Sequence, residues 1–382
     1  MNHKKIRNLI LLFVFGAMIS FPLINDSFHL IQDTKNTENK APLPKPKLLE
    51  HAIDSFPALY EPYFSSNFTI RQRLIKDYYE FHLGIFRKSP HPDQVFIGKY
   101  DWLFMGSEEN DSYVGSHPLT QEELEKFKKE LEYRQQFLQK KGIQFYFVIA
   151  PIKASIYPEY IPESVLRKTN KTWAQTLQEY LNKNSTIKVI DLHNTLWEAK
   201  KGGNVYFKND NHWNYRAGLF STNHILKTIQ KDFPQITEIP FTDFKEIVRV
   251  GNLSGNLTLM LAQTERYTDS LYEYDPYKGY SAVDLPAVGY EVSPGFPYRQ
   301  DYELHKGIKG SKLPKLLMIT DSFSNYLFPF ISERFRETTK IFDNWEYKRN
   351  EFIIENEKPD IVILVVWEAN LRHILWYAEE QK

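Results

Sequence analysis

Two short stretches carry the residue types that ester and hydroxyl chemistry needs. In "YFKNDNHWNYRAG", residues 206–218, Asp210 and His212 stand two apart; in "LPKLLMITDSFSN", Ser322 falls where an apolar run gives way to polar residues. A serine hydroxyl becomes a useful nucleophile beside a general base that a third group orients. His212 is the candidate base and Asp210 the candidate orienting carboxylate, because residues two apart in extended backbone point the same way. A turn from strand to helix would expose Ser322 and aim free backbone N–H groups at a developing oxyanion. The same residues have plainer uses. Ser322 or Asp321 could simply cap a helix, and Asp210 with His212 could ligate a metal. A second Asp-x-His pair, Asp191 and His193 in "VIDLHNTLW", also stands at a strand end, with Asn194 as a candidate cap for the next element. Spacing alone does not separate the two pairs. The metal reading lacks further ligands: His224 lies far along the next helix, and no H-E-x-x-H occurs.

The surrounding pattern predicts how these residues are held. "LTQEELEKFKKELEYRQQFLQKKG" reads as a helix, with Thr120 as cap, Glu123 as its capping-box partner and Gly142 closing it. "IQFYFVIAP" comes next as a continuous apolar run of strand length, the pattern of a parallel strand covered on both faces. The alternation repeats: a helix around "NKTWAQTLQEYLNK", a strand in "STIKVIDL", a helix from about Tyr215 to Lys231. Later come a strand in "LPKLLMIT", a helix-like "SNYLFPFISERF" and a buried strand in "KPDIVILVVWEANL". Alternating strands and helices predict a three-layer α/β sandwich around a mostly parallel sheet, with right-handed crossovers. Ligands of such sheets gather at the carboxyl ends of the strands. Before this core, "QVFIGKYDWLFMG" predicts a hairpin and "IRQRLIKDYYEFHLGIF" a helix. Residues 265–310, rich in Tyr, Pro and Gly without periodicity, read as a loop-rich or β insertion near the site.

The N-terminus bears on compartment. Lys4, Lys5 and Arg7 precede a nearly unbroken apolar run from Leu9 to Ile24, so the basic flank should stay cytoplasmic and the rest lie outside. The run predicts an uncleaved signal anchor over 1–25, with a cleaved signal peptide as the competitor. Residues 26–54 read as a proline-punctuated extracytoplasmic linker, and 55–382 as the catalytic domain. With 48 basic and 48 acidic side chains, no global field favours nucleic acid. The absence of cysteine excludes disulfides, a thiol nucleophile, Cys-ligated zinc and a lipidated Cys anchor. Aromatic residues make up 15% of the chain, which suits sugar-facing surfaces and a Phe-rich core alike.

The segments "FIGKYDWLFMG", "VIAPIKASIYPEYIP", "NDNHWNYRAG", "GNLSGNL", "MITDSFS" and "PDIVILVVWEAN", in that order, resemble the SGNH-hydrolase-like polysaccharide O-acetyltransferases. That group includes periplasmic alginate-acetylating proteins. The chain looks most like its Gram-positive branch acting on secondary cell wall polysaccharide, and the resemblance runs from about residue 55 to the end. It implies Asp210, His212 and Ser322 as a triad and favours that Asp-x-His pair over Asp191 and His193. It further implies site-organising or substrate-contacting places for Trp213, Lys153 and Asn370, Asn370 as a candidate oxyanion donor. Asn252 and Ala369 stand where relatives often have Asp and Arg. The function implied is extracytoplasmic transfer of acetyl, through an acetyl-serine, to polysaccharide hydroxyls. The acetyl would come from a membrane-bound O-acyltransferase partner, with no cofactor and no metal. A triad also suits an exported carbohydrate acetyl esterase, and an aromatic surface suits a non-catalytic glycan-binding module.

Overall fold

The computed structural model describes residues 3–34, 43–50, 53–251, 253–294, 296 and 298–380. Asn252 and parts of the expected linker therefore lie outside the described residues. The chain divides into two compact units: residues 1–91 with 258–264, and residues 92–257 with 265–382.

In the first unit, the apolar run forms a helix, His3–Phe28, long and apolar enough to cross a membrane. Its 26 residues span about 39 Å at 1.5 Å each, against a hydrocarbon core of roughly 30 Å. Helices Phe56–Asn67 and Arg71–Ile85 come after it, the latter where the apolar spacing predicts it.

The second unit is the α/β sandwich. Its strands are β1 (Val95–Ile97), β2 (Leu103–Met105), β3 (Gln144–Ala150), β4 (Val189–Asp191), β5 (Phe244–Gly251), β6 (Asp269–Pro276), β7 (Val283–Leu285), β8 (Glu303–Gly307), β9 (Lys315–Thr320), β10 (Glu337–Phe342) and β11 (Ile361–Trp367). Seven form the main sheet, in the order β4-β3-β11-β9-β10-β8-β7. The first five run parallel, while β8 is antiparallel to both β10 and β7.

β3, β11 and β9 read as unbroken apolar runs because both their faces are covered. Tyr146, Val148, Met318, Ile363 and Val365 join one core, with Leu219, Ile225 and Leu226 from helix Tyr215–Ile229. Phe147, Ile149, Ile319, Leu364 and Val366 join the other, with Phe127 and Leu131 from helix Gln121–Gln139 and Leu177 from helix Trp173–Asn184. Helix Gln121–Gln139 starts with the expected capping box: Thr120 Oγ1 accepts from Glu123 N (3.1 Å) and Glu123 Oε2 from Thr120 N (2.8 Å). Gly142, at φ +73°, turns the chain into β3.

The β1–β2 hairpin forms in the expected place. The 265–310 insertion is β-rich: β6 pairs with β5 as a two-stranded ribbon, and β7 and β8 extend the sheet edge. Two local expectations change. "SNYLFPFISERF" breaks into short turns at Ser322–Tyr326, Phe328–Ile331 and Ser332–Arg334, since Pro329 removes an N–H a longer helix would need. Asn194 is no cap: Asp191 Oδ1 accepts from His193 N (2.9 Å), and Asn194 lies inside helix His193–Ala199.

Candidate active site

Four parallel strands deliver polar residues at their carboxyl ends: Lys153 beyond β3, Asp191 ending β4, Asp321 and Ser322 after β9, and Asn370 after β11. β9 and β11 are hydrogen-bonded neighbours, and Asp321 bolts their ends together. Its Oδ2 accepts from Trp367 N (2.6 Å) and from Asn370 Nδ2 (3.2 Å), and its Oδ1 accepts from Phe323 N (3.1 Å). Burial pushes the Asp321 carboxyl up, and these donors draw only part of that back. Ser322, next in the chain, opens the short turn Ser322–Tyr326 and is partly accessible.

The second arm is the loop before helix Tyr215–Ile229. Asn214 caps that helix, its side chain accepting from Arg216 N (3.0 Å) and Ala217 N (3.2 Å). Upstream the loop folds back on itself: Tyr206 bridges Trp213, and Phe207 N donates to His212 O (3.2 Å). Lys153, fully buried, reaches under it and donates from Nζ to the carbonyls of Asp210 (2.7 Å), Phe207 (3.1 Å) and Lys208 (3.4 Å). The Trp213 indole ties the two arms together, donating to Phe323 O (2.7 Å) and packing edge-on against the Phe323 ring.

These restraints bring together residues 110 positions apart. His212 Nε2 lies 2.7 Å from Ser322 Oγ, and His212 Nδ1 lies 2.8 Å from Asp210 Oδ1. Asp210 Oδ1 also accepts from His212 N (2.9 Å), and Oδ2 from Asn256 N (2.8 Å). Burial would push the Asp210 carboxyl up, but its bond to His212, the imidazole charge and the backbone donors outweigh burial and hold it below the usual range. Such a carboxylate stays ionised, fixes the tautomer with hydrogen on Nδ1 and leaves Nε2 to accept the serine proton.

Of the other expected residues, Trp213 is fully buried and serves by packing and by its indole bond; Asn370 acts on Asp321 rather than on Ser322 directly. Ala369 is buried beside Glu368. His193 belongs elsewhere, its Nε2 3.3 Å from Ser155 O.

Several contributors carry no local signal of their role. Asn256 lies within "GNLSGNL", where Gly255 permits a close approach: a Cβ there would sit 2.4 Å from Asn209 O. Asp269 Oδ2 accepts from Asn209 N (3.0 Å) and steadies the same loop. Behind it, Glu109 Oε1 accepts from Ala154 N (3.1 Å), and Glu368 takes Ser112 Oγ (2.5 Å), Ala174 N (3.1 Å) and Ile152 N (3.3 Å). Among the described residues, no three His, Cys, Asp or Glu side chains cluster as a metal would require.

Known proteins are similar to parts of this chain in sequence and in fold. Residues 95–286 match the family described as SGNH hydrolase-like domain, acetyltransferase AlgX, a span that holds Asp210 and His212 and ends before Ser322. The probable alginate O-acetylase AlgJ of Pseudomonas fluorescens is 30% identical over 176 residues, 44% of this chain and 41% of that protein. The match thus spans about two fifths of the curated relative's length. In fold, the chain is similar to Bacillus cereus PatB1, with a TM-score of 0.53 at 19% identity, over 73% of this chain and 97% of that one. A DHHW family protein from Eubacterium siraeum gives 0.50 at 16% identity, over 65% and 88%. The chain belongs to the SGNH hydrolase-like acetyltransferase AlgX family.

Proposed function

We propose that this chain transfers acetyl groups to hydroxyls of a cell wall polysaccharide outside the cytoplasm, through an acetyl ester on Ser322. The observation that carries the reading is the unbroken relay Asp210–His212–Ser322, with contacts of 2.8 and 2.7 Å. Family membership and an alginate O-acetylase among the relatives support acetyl transfer to a polysaccharide.

His212 Nε2 takes the proton as Ser322 Oγ attacks the acetyl carbonyl of a donor. The Ser322 N–H would face the oxyanion, a donor typically worth about 3–4 kcal/mol, since Phe323 N and Ser324 N already donate to Asp321. The tetrahedral intermediate expels the donor's leaving group, which receives the proton from His212, and acetyl-Ser322 remains. His212 then deprotonates a sugar hydroxyl, the alkoxide attacks the acetyl-serine carbonyl, and Ser322 leaves with the proton restored. Asp210 holds the imidazole and stabilises its cation in both steps. The acetyl donor is a membrane-bound O-acyltransferase, beside which the His3–Phe28 helix would hold the enzyme.

Intact mass spectrometry after a brief pulse of an activated acetyl ester tests this. One added acetyl mapped to Ser322, lost faster when wall oligosaccharide is added and recovered on the glycan, is the expected result. Release as free acetate whatever glycan is supplied would make the chain an esterase. Undiminished glycan acetylation by Ser322→Ala would remove Ser322 as nucleophile; no turnover by the wild type would favour a glycan-binding module.

A further inference from the structure

Helix Arg71–Ile85 has two apolar faces on opposite sides. One is covered, with Tyr79 7% and Leu83 1% exposed. The other is bare: Leu74, Tyr78, Phe81 and Ile85 recur at i, i+4, i+7 and i+11 and are 49, 47, 58 and 65% exposed. A helix apolar on both sides ordinarily has both covered, because a continuous exposed stripe of large apolar residues is costly in water.

The position of this helix says what covers the stripe. Three hydrogen bonds pin its start to the exit of the apolar helix His3–Phe28. Thr69 Oγ1 donates to Asp26 Oδ1 (3.2 Å), near that helix's last turn. Asp33, five residues past its end, accepts from Arg73 N (2.8 Å) and Gln72 N (3.4 Å), the orphan donors of the first turn of helix Arg71–Ile85. If His3–Phe28 spans the bilayer, the first turn of Arg71–Ile85 stands at headgroup level. The stripe has the chemistry of that zone, with tyrosine and phenylalanine among aliphatics. Arg87 and Lys88 come just after it, cations of the kind that lipid phosphates attract. The neighbouring helix Phe56–Asn67, with no buried residue and Phe56, Tyr60 and Phe64 in a row of ring contacts, repeats the character.

We infer that the Leu74–Tyr78–Phe81–Ile85 face lies on the outer surface of the phospholipid bilayer, in the boundary between headgroups and acyl chains. The inference rests on reading His3–Phe28 as the anchor. It makes the enzyme's membrane attachment two-part: a span, and a flat helix that fixes how the chain leaves the membrane.

The chain has no native cysteine, so single labelling sites are clean. Full-length Leu12→Cys, Leu74→Cys, Glu80→Cys, Phe81→Cys and Ile85→Cys, each carrying a bimane, are reconstituted into phospholipid vesicles containing shallow or deep nitroxide lipids. Label at position 12 should be quenched most by the deep probe. Labels at 74, 81 and 85 should be quenched by the shallow probe at least about twofold more than label at 80, as for an interfacial amphipathic helix. Quenching at 74, 81 and 85 no stronger than at 80, with position 12 still quenched, overturns the surface and leaves the anchor. Absence of quenching at 12 removes the anchor itself. Energy transfer between copies labelled at 81 that rises with protein density, without lipid quenching, would assign the stripe to a second copy and refute the lipid surface.

Discussion

Lys153→Met removes the cation beneath the Asp210–His212 loop while keeping most of the side chain's bulk. Lys153 Nζ bonds three carbonyls, the shortest contact being 2.7 Å to Asp210 O, and its side chain is fully buried. A hydrogen bond from a charged donor is worth about 1.5–3 kcal/mol, and the other two carbonyls would also lose their donor in a dry site. Burial pushes the Lys153 ammonium down, against the carboxylates of Glu109, Asp210 and Asp269. Burial pushes the Glu109 carboxyl up, and Lys153 with the Ala154 amide returns only part of that. Leaving a buried charge uncompensated typically costs about 3–5 kcal/mol, whereas replacing both interacting groups is often close to neutral.

Lys153→Met should therefore lower stability by about 3–5 kcal/mol in urea unfolding. Acetyl-ester turnover should fall by about 10²-fold if the loop shifts by an ångström. Glu109→Gln added to Lys153→Met should restore at least about 1 kcal/mol, the coupling expected of neighbours. On the proposed mechanism Lys153 positions Asp210 rather than touching the acetyl group, so kcat should fall with KM for the ester nearly unchanged. A single variant with wild-type stability and turnover, or a double variant showing strict additivity, refutes the reasoning.

Three other residues give sharp outcomes. Asp210→Asn should cut kcat by about 10³–10⁴-fold, since an amide no longer enforces the tautomer; an unchanged kcat would discard the relay. Because its folded carboxyl is held low, Asp210 contributes stability above its unfolded value of about 3.9, and loses it as pH falls through the lower folded value. The stability gap between wild type and Asp210→Asn should accordingly close in acid, as urea midpoints across the acid range would show. Gly218→Ala places a Cβ 2.0 Å from Tyr326 O; it should cost about 1–3 kcal/mol by overpacking, and slow acetylation of Ser322 in the same turn, read by thermal melting and by the burst rate. Lys340, 2% exposed in β10, donates to Asn325 Oδ1 (2.6 Å), and burial pushes its pKa down to about 8. The unfolded chain then binds more protons between that value and about 10.4, so stability rises with pH across this window. Between about pH 7.5 and 9.5 the wild type should gain about 2 kcal/mol on Lys340→Met; parallel pH profiles would refute it.

The parts of the fold legible in the sequence are those where burial is written in apolar side chains. β3, β9 and β11 are such runs, and the end of β9 locates Ser322. β10 is not legible: its "ETTKIF" buries Thr338, Thr339 and Lys340. Thr339 Oγ1 finds Glu357 Oε2 at 2.7 Å and Lys340 finds Asn325, so partners supplied by the tertiary structure replace the hydrophobic signal. The same holds beneath the site. Glu109 and Glu368 read as ordinary surface acids in a helix start and a chain end, yet both are buried as acceptors for backbone amides. The resemblance to a family supplies Lys153 and Asn370, but nothing along the chain indicates that one grips carbonyls and the other a carboxylate.

The two Asp-x-His pairs mark where local reading stops. In each, the aspartate Oδ1 accepts from the histidine backbone N at 2.9 Å, so the two turns are built alike. Each stands near the carboxyl edge of the same sheet. They differ in what faces Nε2: for His193 it is the Ser155 carbonyl at 3.3 Å, for His212 the Ser322 hydroxyl at 2.7 Å. A carbonyl can only accept, so contact with it requires the proton on Nε2 and leaves no lone pair there to act as base; a hydroxyl can donate, so contact with it leaves Nε2 free to accept. Which partner each imidazole meets is set by strand order. Ser322 comes after β9, beside β11 near the sheet's centre, while His193 comes after β4 at the edge. Motif spacing therefore selects residues of the type the chemistry needs, and the order of strands, which no stretch of sequence contains, selects the pair whose imidazole meets a hydroxyl.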